Sequence, residues 1–352
     1  MTRSLGEALA WQAQTVLTNP ELLAFKESVE RFASERLVQL IAEAEATDTL
    51  PAKMVVELSH QGFMRLGLPV EMDGGGADLE VVAIAVHYLS VAVPVAGAVL
   101  AAVDNAYRHL LSADGDESVI DQVGVLPIVI DPTDPLTTIE FARSGEMFLL
   151  RGTAARVEGA GDASAFVVVH PEAGALIVDR ESCRLSGAQP RSGLRGWAPR
   201  AVSFENVRAV VSGSGIAVQD RCRQSRLILL GAILSGLAEG AARRSIEHCN
   251  SRMQFGRRLI EISAVEAILN EMLDESTSAV VAVLAAARAA SSREAALPAA
   301  AAVACQASRA AIRTGEEAIQ LHGGYGYLCE YPVEQSFRDA ITVAALVVAA
   351  GA

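Results

Sequence analysis

The most informative stretch of this sequence is QLHGGYGY, residues 320–327, which is preceded by a second segment, RMQFG, at residues 252–256. Both segments have chemistry that suits a nucleotide phosphate. Arg252 offers a fork of N–H donors that matches phosphate oxygens, and Gly323 with Gly324 would let a cofactor approach backbone N–H groups. Either segment alone is explained equally well by a helix end followed by an ordinary turn.

The region around these two segments is predicted to be helical. Residues 226–249, RLILLGAILSGLAEGAARRSIEHC, form one long amphipathic pattern, and further helical patterns cover about 262–290 and 298–321. A last helix is expected after Pro332. Four long helices in series favour an antiparallel arrangement, so we predict a C-terminal four-helix bundle over residues 213–352.

The middle of the chain, residues 123–212, has a different character. Helical periodicity disappears, and short runs rich in β-branched and aromatic residues are separated by clusters of turn-forming residues. The runs are VGVLPIVI (123–130), EMFLL (146–150), AFVVV (165–169), ALIVD (175–179) and AVSFENV (201–207). We therefore predict a middle β domain, either a barrel or a sandwich.

The first part of the chain, residues 1–122, is again predicted to be helical. Asn19-Pro20-Glu21 supplies a capping side chain, a proline at the first helical position and an acid near the positive helix end. Further helical patterns cover about 51–62 and begin near residue 79. The predicted fold class is therefore α+β multi-domain, with a helical domain, a β domain and a helical bundle in that order.

Composition and charge exclude several function classes. The net charge of −13 argues against a nucleic-acid partner, because phosphate neutralisation needs basic patches. Five scattered cysteines without a C-x-x-C pair favour neither a zinc site nor a disulfide framework, and no metal is expected. The apolar stretch 81–103 is long enough to span a bilayer, but His87 and the break at Pro94 favour a buried helix. With no secretory leader pattern at the N-terminus, we expect a cytoplasmic protein outside membranes.

Taken together and in this order, the two segments resemble the C-terminal domain of the acyl-CoA dehydrogenases. That family carries R-x-Q/T-F-G, then Q-x-x-G-G-x-G-Y, then Y-P-V-E and R-D-A; residues 331–334 and 338–340 match the last two. The resemblance covers nearly the whole chain, including GLP at 67–69 and SGLR at 192–195. It implies FAD as cofactor and an acyl-CoA substrate in fatty acid β-oxidation. It also implies an electron-transferring flavoprotein as electron acceptor.

In that family the flavin lies across a subunit interface. Two segments of one chain hold the pyrophosphate and adenosine of the flavin whose ring is bound by a neighbouring chain. The resemblance therefore implies that six residues of this chain bind a neighbour's FAD: Arg252, Gln254, Phe255, Gln320, Gly323 and Gly324.

The catalytic base of the family is missing. The reaction needs a positioned carboxylate that takes a proton from the α-carbon of the acyl group. In most members this glutamate follows R-D-A, and alignment without gaps places Val347 at its position. A minority of members carry it on the first bundle helix just before an arginine, and here that pair is Ser225-Arg226. Valine cannot take a proton, and serine needs an activating base, so we expect no catalytic residue in this chain.

Residues that would hold this chain's own flavin ring also depart from the family pattern. The T-E-P-x-x-G-S-D loop is replaced by VIDPTDP at 129–135, and the aromatic-Ile-Thr/Ser segment by Arg156-Val157-Glu158. Residues that would serve a neighbour's flavin remain. This asymmetry resembles the base-lacking subunit of α2β2 heterotetrameric acyl-CoA dehydrogenases, which act on steroid side-chain CoA thioesters in steroid catabolism. It implies a catalytic acyl-CoA dehydrogenase subunit as partner.

Two other functions stay open from the sequence alone. A stand-alone FAD enzyme would need a relocated base, for which Glu158, Glu330 and Glu334 are candidates. The simpler role for Glu158 is an ion pair with Arg156 or another arginine. A non-enzymatic protein would bind acyl-CoA without any flavin. Trp197 is expected to fill space left by a missing ring or acyl chain.

Overall fold

The N-terminal part of the molecule is helical, as expected. The structure is a computed structural model that describes residue 17 and residues 19–112, 117–145, 147–170, 172–212, 216–291, 297–329 and 331–351. The N-terminal helices are α1 (Pro20–Phe32), α2 (Ile41–Thr47), α3 (Ala52–His60), α4 (Leu79–Ala92), α5 (Pro94–Ser112) and α6 (Glu117–Val123).

Local sequence signals set the boundaries of these helices. The side chain of Asn19 accepts a hydrogen bond from the backbone N–H of Glu21 at 2.8 Å and caps α1. Pro94 ends α4 and begins α5, because proline cannot continue the hydrogen-bond ladder of the preceding helix. Nearly every side chain of α4 is buried, so the apolar stretch 81–103 lies inside the fold as parts of two core helices.

The middle of the chain is one curled β-sheet. Its strands are β1 (Pro127–Ile130), β2 (Thr137–Ser144), β3 (Met147–Val157), β4 (Ala165–His170), β5 (Gly174–Asp179), β6 (Arg184–Leu185) and β7 (Arg200–Ser212). The spatial order is β1-β4-β5-β7-β3-β2, and β6 pairs with β7. The rings of Phe141 on edge strand β2 and His170 on β4 lie 4.7 Å apart, which requires the sheet to curl upon itself.

The C-terminal part is a bundle of four long helices: α7 (Ile216–Ser251), α8 (Ser263–Ser291), α9 (Leu297–His322) and α10 (Pro332–Ala349). A hairpin of β8 (Met253–Gln254) and β9 (Arg257–Arg258) joins α7 to α8. Helix α7 packs against the other three and against α4 and α5. Within the described residues, 220–251 is the one helix long and apolar enough to cross a membrane, and it is mostly buried in the bundle.

Two glycines allow α7 to approach α4 closely. A Cβ atom added at Gly236 would lie 2.3 Å from the carbonyl oxygen of His87, and one at Gly240 would lie 2.4 Å from that of Val91. Both distances are far below van der Waals contact, so this crossing requires glycine. The close approach brings polar groups of the two helices into direct contact.

A buried polar network spans this crossing. His87 is fully buried, with Nδ1 2.8 Å from the hydroxyl of Ser235 and Nε2 2.8 Å from a carboxylate oxygen of Glu239. Arg243 donates to Glu239 and also forms an ion pair with Glu30 of α1 at 2.8 Å. Burial opposes the charged form of Glu239, but the hydrogen bonds and charges of His87 and Arg243 prevail and lower its pKa to about 2.

The R-D-A segment of α10 joins the three parts of the chain. Arg338 donates to the backbone carbonyl of Ser192 in the β domain and to Glu45 of α2 at 3.0 Å. The next residue, Asp339, accepts the backbone N–H of Leu194. The segment therefore acts as a clasp between the helical domain, the β domain and the bundle.

Candidate nucleotide surface and interdomain cavity

The RMQFG segment forms the β8–β9 hairpin, whose tip is Phe255-Gly256. Both tip residues have positive φ, at 53° and 78°, which is the conformation of a type I′ turn. Glycine adopts this conformation freely, whereas a bulky side chain is strained in it. The side chain of Phe255 is nonetheless 88% exposed, so burial does not offset the strain. A phenylalanine held outward in this way points to a binding role.

The glycine segment forms a tight turn at the end of α9. The helix ends at His322, and a 3₁₀ turn covers Gly323–Tyr327. Gly323 has φ of 59°, and a Cβ atom added at Gly323 or Gly324 would meet no atom within 4 Å. Both glycines and Gln320 are exposed, so their backbone groups face open space.

The fold brings the two segments together at one end of the bundle. The guanidinium of Arg252 lies over the Tyr325 ring at 5.8 Å, and the imidazoles of His248 and His322 stack with centroids 4.1 Å apart. His322 is buried and its Nδ1 donates to the carbonyl of Ala318 at 2.7 Å, which indicates a structural role. The six residues assigned by resemblance to a neighbour's FAD thus lie at one end of the bundle, in the β8–β9 hairpin segment and in the last turn of α9 with the glycine turn that follows it. Their role stays a prediction.

Two of the arginines on this surface form no ion pair within the part of the chain that the structure describes. Arg258 is neutralised by Glu261 at 2.7 Å, and this hydrogen bond lowers the pKa of Glu261. Among the described residues, neither Arg252 nor Arg257 has an ion-pair partner, and both are exposed. We call residues 252–257 with Gln320 and Gly323–Tyr327 the nucleotide surface. It offers an anion two exposed guanidinium groups that have no ion-pair partner among the described residues, beside two glycines without side chains to hinder its approach.

A second feature is an interdomain cavity of about 210 Å³. Its walls come from α5, β1, the ends of β2 and β3, the middle of α7 and the end of α10. Most of the lining is apolar, and Trp197 forms part of it with only 2% of its surface exposed. A Cβ atom added at Gly159 would lie 2.2 Å from the Trp197 ring, so the indole fits against a glycine.

Charged residues close one side of the cavity. Glu158 forms ion pairs with Arg156 at 3.2 Å and with Arg191, whose side chain is buried. Arg191 also donates to the carbonyl of Trp197 at 2.7 Å. The predicted ion pair of Glu158 is thereby confirmed. The role of Arg191 as an ion-pair partner of Glu158 could not be predicted from the sequence, because no local pattern links residues 158 and 191.

Neither predicted base position supplies a carboxylate to this cavity. Val347 is 1% exposed and packs in the core, while Ser225 is half-buried on α7. Neither lines the cavity, to which α10 contributes Ala345, Leu346 and Ala349. Of the other candidate bases, Glu334 is paired with Arg338 at 2.7 Å. Glu330 lies outside the described residues.

Comparison with known proteins gives the family. The N-terminal domain of acyl-CoA dehydrogenases matches residues 19–123, and the C-terminal domain of the same family matches residues 213–346. The chain belongs to the acyl-CoA dehydrogenase family. Members of this family are FAD-dependent flavoproteins, and the family activity is that of an oxidoreductase.

Individual relatives agree with this assignment. An acyl-CoA dehydrogenase of Bacillus subtilis is 26% identical, over 91% of this chain and 92% of its own length. A short-chain specific acyl-CoA dehydrogenase of Clostridium acetobutylicum is 24% identical, over 90% and 91%. The structure of butyryl-CoA dehydrogenase from Megasphaera elsdenii superposes with a TM-score of 0.84 at 19% identity, covering 94% of this chain and 96% of that one. The expected fold class is thus confirmed as the acyl-CoA dehydrogenase fold.

The two features differ in how well they fit a flavin. The nucleotide surface fits the phosphate end of FAD, since Gly323 and Gly324 leave open space and Arg252 has no ion-pair partner among the described residues. The interdomain cavity does not fit the ring end. An apolar cavity of about 150 Å³ holds one benzene ring, and 210 Å³ is small for three fused rings with a ribityl chain. Arg156 and Glu158 further place charge on its wall.

Proposed function

We propose that this chain is the non-catalytic, FAD-sharing subunit of a heteromeric acyl-CoA dehydrogenase. The complex removes hydrogens from the α- and β-carbons of an acyl-CoA, for which a steroid side-chain CoA thioester is the proposed substrate. It acts in the cytoplasm and passes electrons to an electron-transferring flavoprotein. The partner is a catalytic acyl-CoA dehydrogenase chain, in an α2β2 assembly.

The observation that carries the proposal is the outward presentation of Phe255. Its left-handed backbone and 88% exposure are unfavourable for an isolated chain. They are explained if a second chain, with the flavin bound to it, covers the hairpin. Arg252 would then hold the pyrophosphate of that flavin, and the N–H groups of Gly323 and Gly324 would approach it.

The interdomain cavity supports the non-catalytic part of the proposal. Dehydrogenation requires a carboxylate aimed at the α-carbon and a flavin that accepts the β-hydride when bound. Here Val347 and Ser225 lie off the cavity, and the ion pairs of Glu158 occupy the wall beside it. For Glu158 to act as a base, both ion pairs would have to break when it takes up a proton. A stand-alone enzyme with Glu158 as base is therefore the weaker alternative.

The experiment is to measure flavin content in two preparations. One is the chain alone, and the other is the chain co-expressed with an acyl-CoA dehydrogenase encoded beside it. The expected result is a colourless lone chain and a yellow heterotetramer with one FAD per pair of unlike chains. A lone chain with one FAD per subunit contradicts the proposal, and acyl-CoA binding with no flavin in either preparation favours a non-enzymatic binding protein.

A matched pair of variants tests the nucleotide surface within the complex. Arg252→Met removes a guanidinium that has no ion-pair partner among the described residues, so the chain should fold normally. We expect at least a tenfold loss of FAD affinity, as for other charge-assisted phosphate contacts. Arg309→Met, at an exposed position on α9, should leave FAD affinity unchanged. Equal flavin content in both variants would remove Arg252 from the site.

A further inference from the structure

The interdomain cavity has polar groups that flavin sharing does not use. We propose that it binds a small free carboxylic acid with an aliphatic or single-ring body, whose carboxylate contacts Arg226 and Asn105. The proposal concerns this chain's own cavity and does not rest on the heteromeric function.

The size and lining of the cavity determine the size and apolar character of the ligand's hydrocarbon part. Small and branched apolar side chains form its walls, among them Ala98, Ala101, Leu229, Ile233 and Leu346. The volume of 210 Å³ exceeds the roughly 150 Å³ of an apolar cavity that holds benzene. An acid of about six to eight carbons matches that space, and burying its methylenes is favourable.

Two hydrogen-bond donors on the cavity wall determine the polar head group of the ligand. Arg226 of α7 is half-buried, and among the described residues its guanidinium has neither an ion-pair nor a hydrogen-bond partner. Asn105 of α5 is 4% exposed, and its Oδ1 accepts from the thiol of Cys222 at 3.6 Å. Burial raises the pKa of Cys222 to about 12, so this thiol stays protonated and donates. The Nδ2 amide of Asn105 has no acceptor within the described part of the chain.

The acids that line the cavity are already engaged. Asp131 accepts from the backbone N–H of Thr133 at 2.9 Å, Asp134 accepts from that of Leu136 at 2.8 Å, and Glu158 is paired with two arginines. None of the three forms an ion pair with Arg226. These hydrogen bonds leave both aspartates charged, and the N–H donors of Arg226, free within the described residues, are what the lining offers to the carboxylate of a ligand.

A carboxylate suits these donors better than other head groups. It accepts two parallel hydrogen bonds from a guanidinium and has further lone pairs for an amide N–H. An alcohol or a thioester carbonyl gives only neutral acceptors, and an ammonium group has no lone pair to accept a hydrogen bond from Arg226 or Asn105. The contrast between acid, alcohol and amine of one chain length is therefore diagnostic.

The test is calorimetric titration of the full chain with octanoate, 1-octanol and octylamine. Octanoate should bind at least tenfold more tightly than 1-octanol, as expected for a hydrogen-bonded charge, and octylamine should not bind. Arg226→Met should weaken octanoate binding about tenfold or more and leave 1-octanol unchanged. Arg221→Met, at an exposed position of the same helix, should change neither.

A second variant locates the binding event. Ala345 is exposed at the end of α10 and lines the cavity, so Ala345→Phe should block entry without disturbing the core. Its melting temperature should match that of the unmodified chain, and octanoate binding should be lost. The proposal is overturned if 1-octanol binds as tightly as octanoate, if Arg226→Met binds octanoate normally, or if Ala345→Phe leaves the binding unchanged.

Discussion

The backbone N–H of Leu194 donates to the carboxylate of Asp339, and this bond joins the β domain to the last helix. Leu194 has a φ of 54°, so the bond holds a residue in the left-handed region. Asp339 is fully buried beside Glu45, with Arg338 and Arg191 nearby. Burial raises its pKa to about 7, an effect that the neighbouring arginines only partly oppose.

The first prediction concerns the pH dependence of stability. Because the folded-state pKa of Asp339 exceeds the unfolded value, its contribution to the free energy of unfolding is complete at low pH. That contribution is lost as the pH rises through about 7. Asp339→Asn keeps an oxygen acceptor for Leu194 and removes the titration. From pH 5 to pH 8, urea denaturation should show the unmodified chain losing on the order of 2 kcal/mol more than the variant.

The control for this experiment is Asp274→Asn, at an exposed position on α8. Its stability should follow the unmodified chain across the whole pH range. Parallel curves for Asp339→Asn and the unmodified chain would mean that Asp339 is already ionised in the folded protein at pH 5.

The second prediction concerns the buried network between α4 and α7. Glu239→Gln keeps the shape of the side chain but leaves the cationic Arg243 without its carboxylate partner on α7. Arg243 keeps its ion pair with Glu30 and is 30% exposed, so the loss should be about 1–3 kcal/mol, below that of a fully buried pair, and should lower the melting temperature. Glu27→Gln, at an exposed position of α1, serves as the control. A loss below 0.5 kcal/mol, roughly the level of surface substitutions, would contradict the assigned role.

The acid side of the same network gives a separate expectation. The pKa of Glu239 is depressed to about 2, so its stabilising effect is present above the ordinary glutamate range and declines as the pH falls towards 2. The difference in unfolding free energy between the unmodified chain and Glu239→Gln should therefore shrink below about pH 4.

The third prediction separates stability from function at the hairpin tip. Phe255→Asn creates Asn-Gly, the preferred pair for a type I′ turn, and relieves a left-handed phenylalanine. The lone chain should gain about 1 kcal/mol of stability. The complex should retain less FAD, because the aromatic contact is lost. Val70→Asn, at another well-exposed apolar side chain, should leave FAD retention unchanged.

The fourth prediction tests the close helix crossing. Gly236→Ala places a methyl group 2.3 Å from the carbonyl oxygen of His87 and forces α4 and α7 apart. We expect a loss of about 1–3 kcal/mol, typical of an overpacked core. Gly187→Ala, where the added carbon meets no atom within 4 Å, should be close to neutral. Thermal denaturation of the two variants side by side provides the measurement.

Much of the secondary structure was predictable because the deciding signals are local. The cap at Asn19, the break at Pro94 and the start of α10 at Pro332 depend on the backbone chemistry of single residues. Strand β2, Thr137–Ser144, is absent from the predicted strands. It lies at the edge of the sheet with much of its surface exposed, so it lacks the apolar run that identifies its neighbours.

Less of the candidate site could be predicted, because its contacts join distant segments. Four of the seven strands form two antiparallel hairpins, β2–β3 and β4–β5, as short connections suggest. The parallel pairing of β1 with β4 follows from no local pattern, because it depends on the whole sheet. The ion pair of Glu158 with Arg191 likewise joins residues that are distant in the sequence, and so does the cavity that Asn105 and Arg226 line together. The sequence signals that bear on the cavity are the Arg156-Val157-Glu158 departure and Trp197, which both line it.

The clasp at Arg338 has a consequence for how the chain is made. Its partner Glu45 lies 293 residues earlier, and Ser192 lies 146 residues earlier. During translation, the first helices and the β domain leave the ribosome well before this arginine is added, and domains generally fold in order of emergence. Until then, the two earlier parts are joined only by their own direct contacts, such as the hydrogen bond from Arg195 to the carbonyl of Glu45 at 3.1 Å. A nascent chain stalled before residue 338 should therefore be cut faster by protease between them than the finished chain.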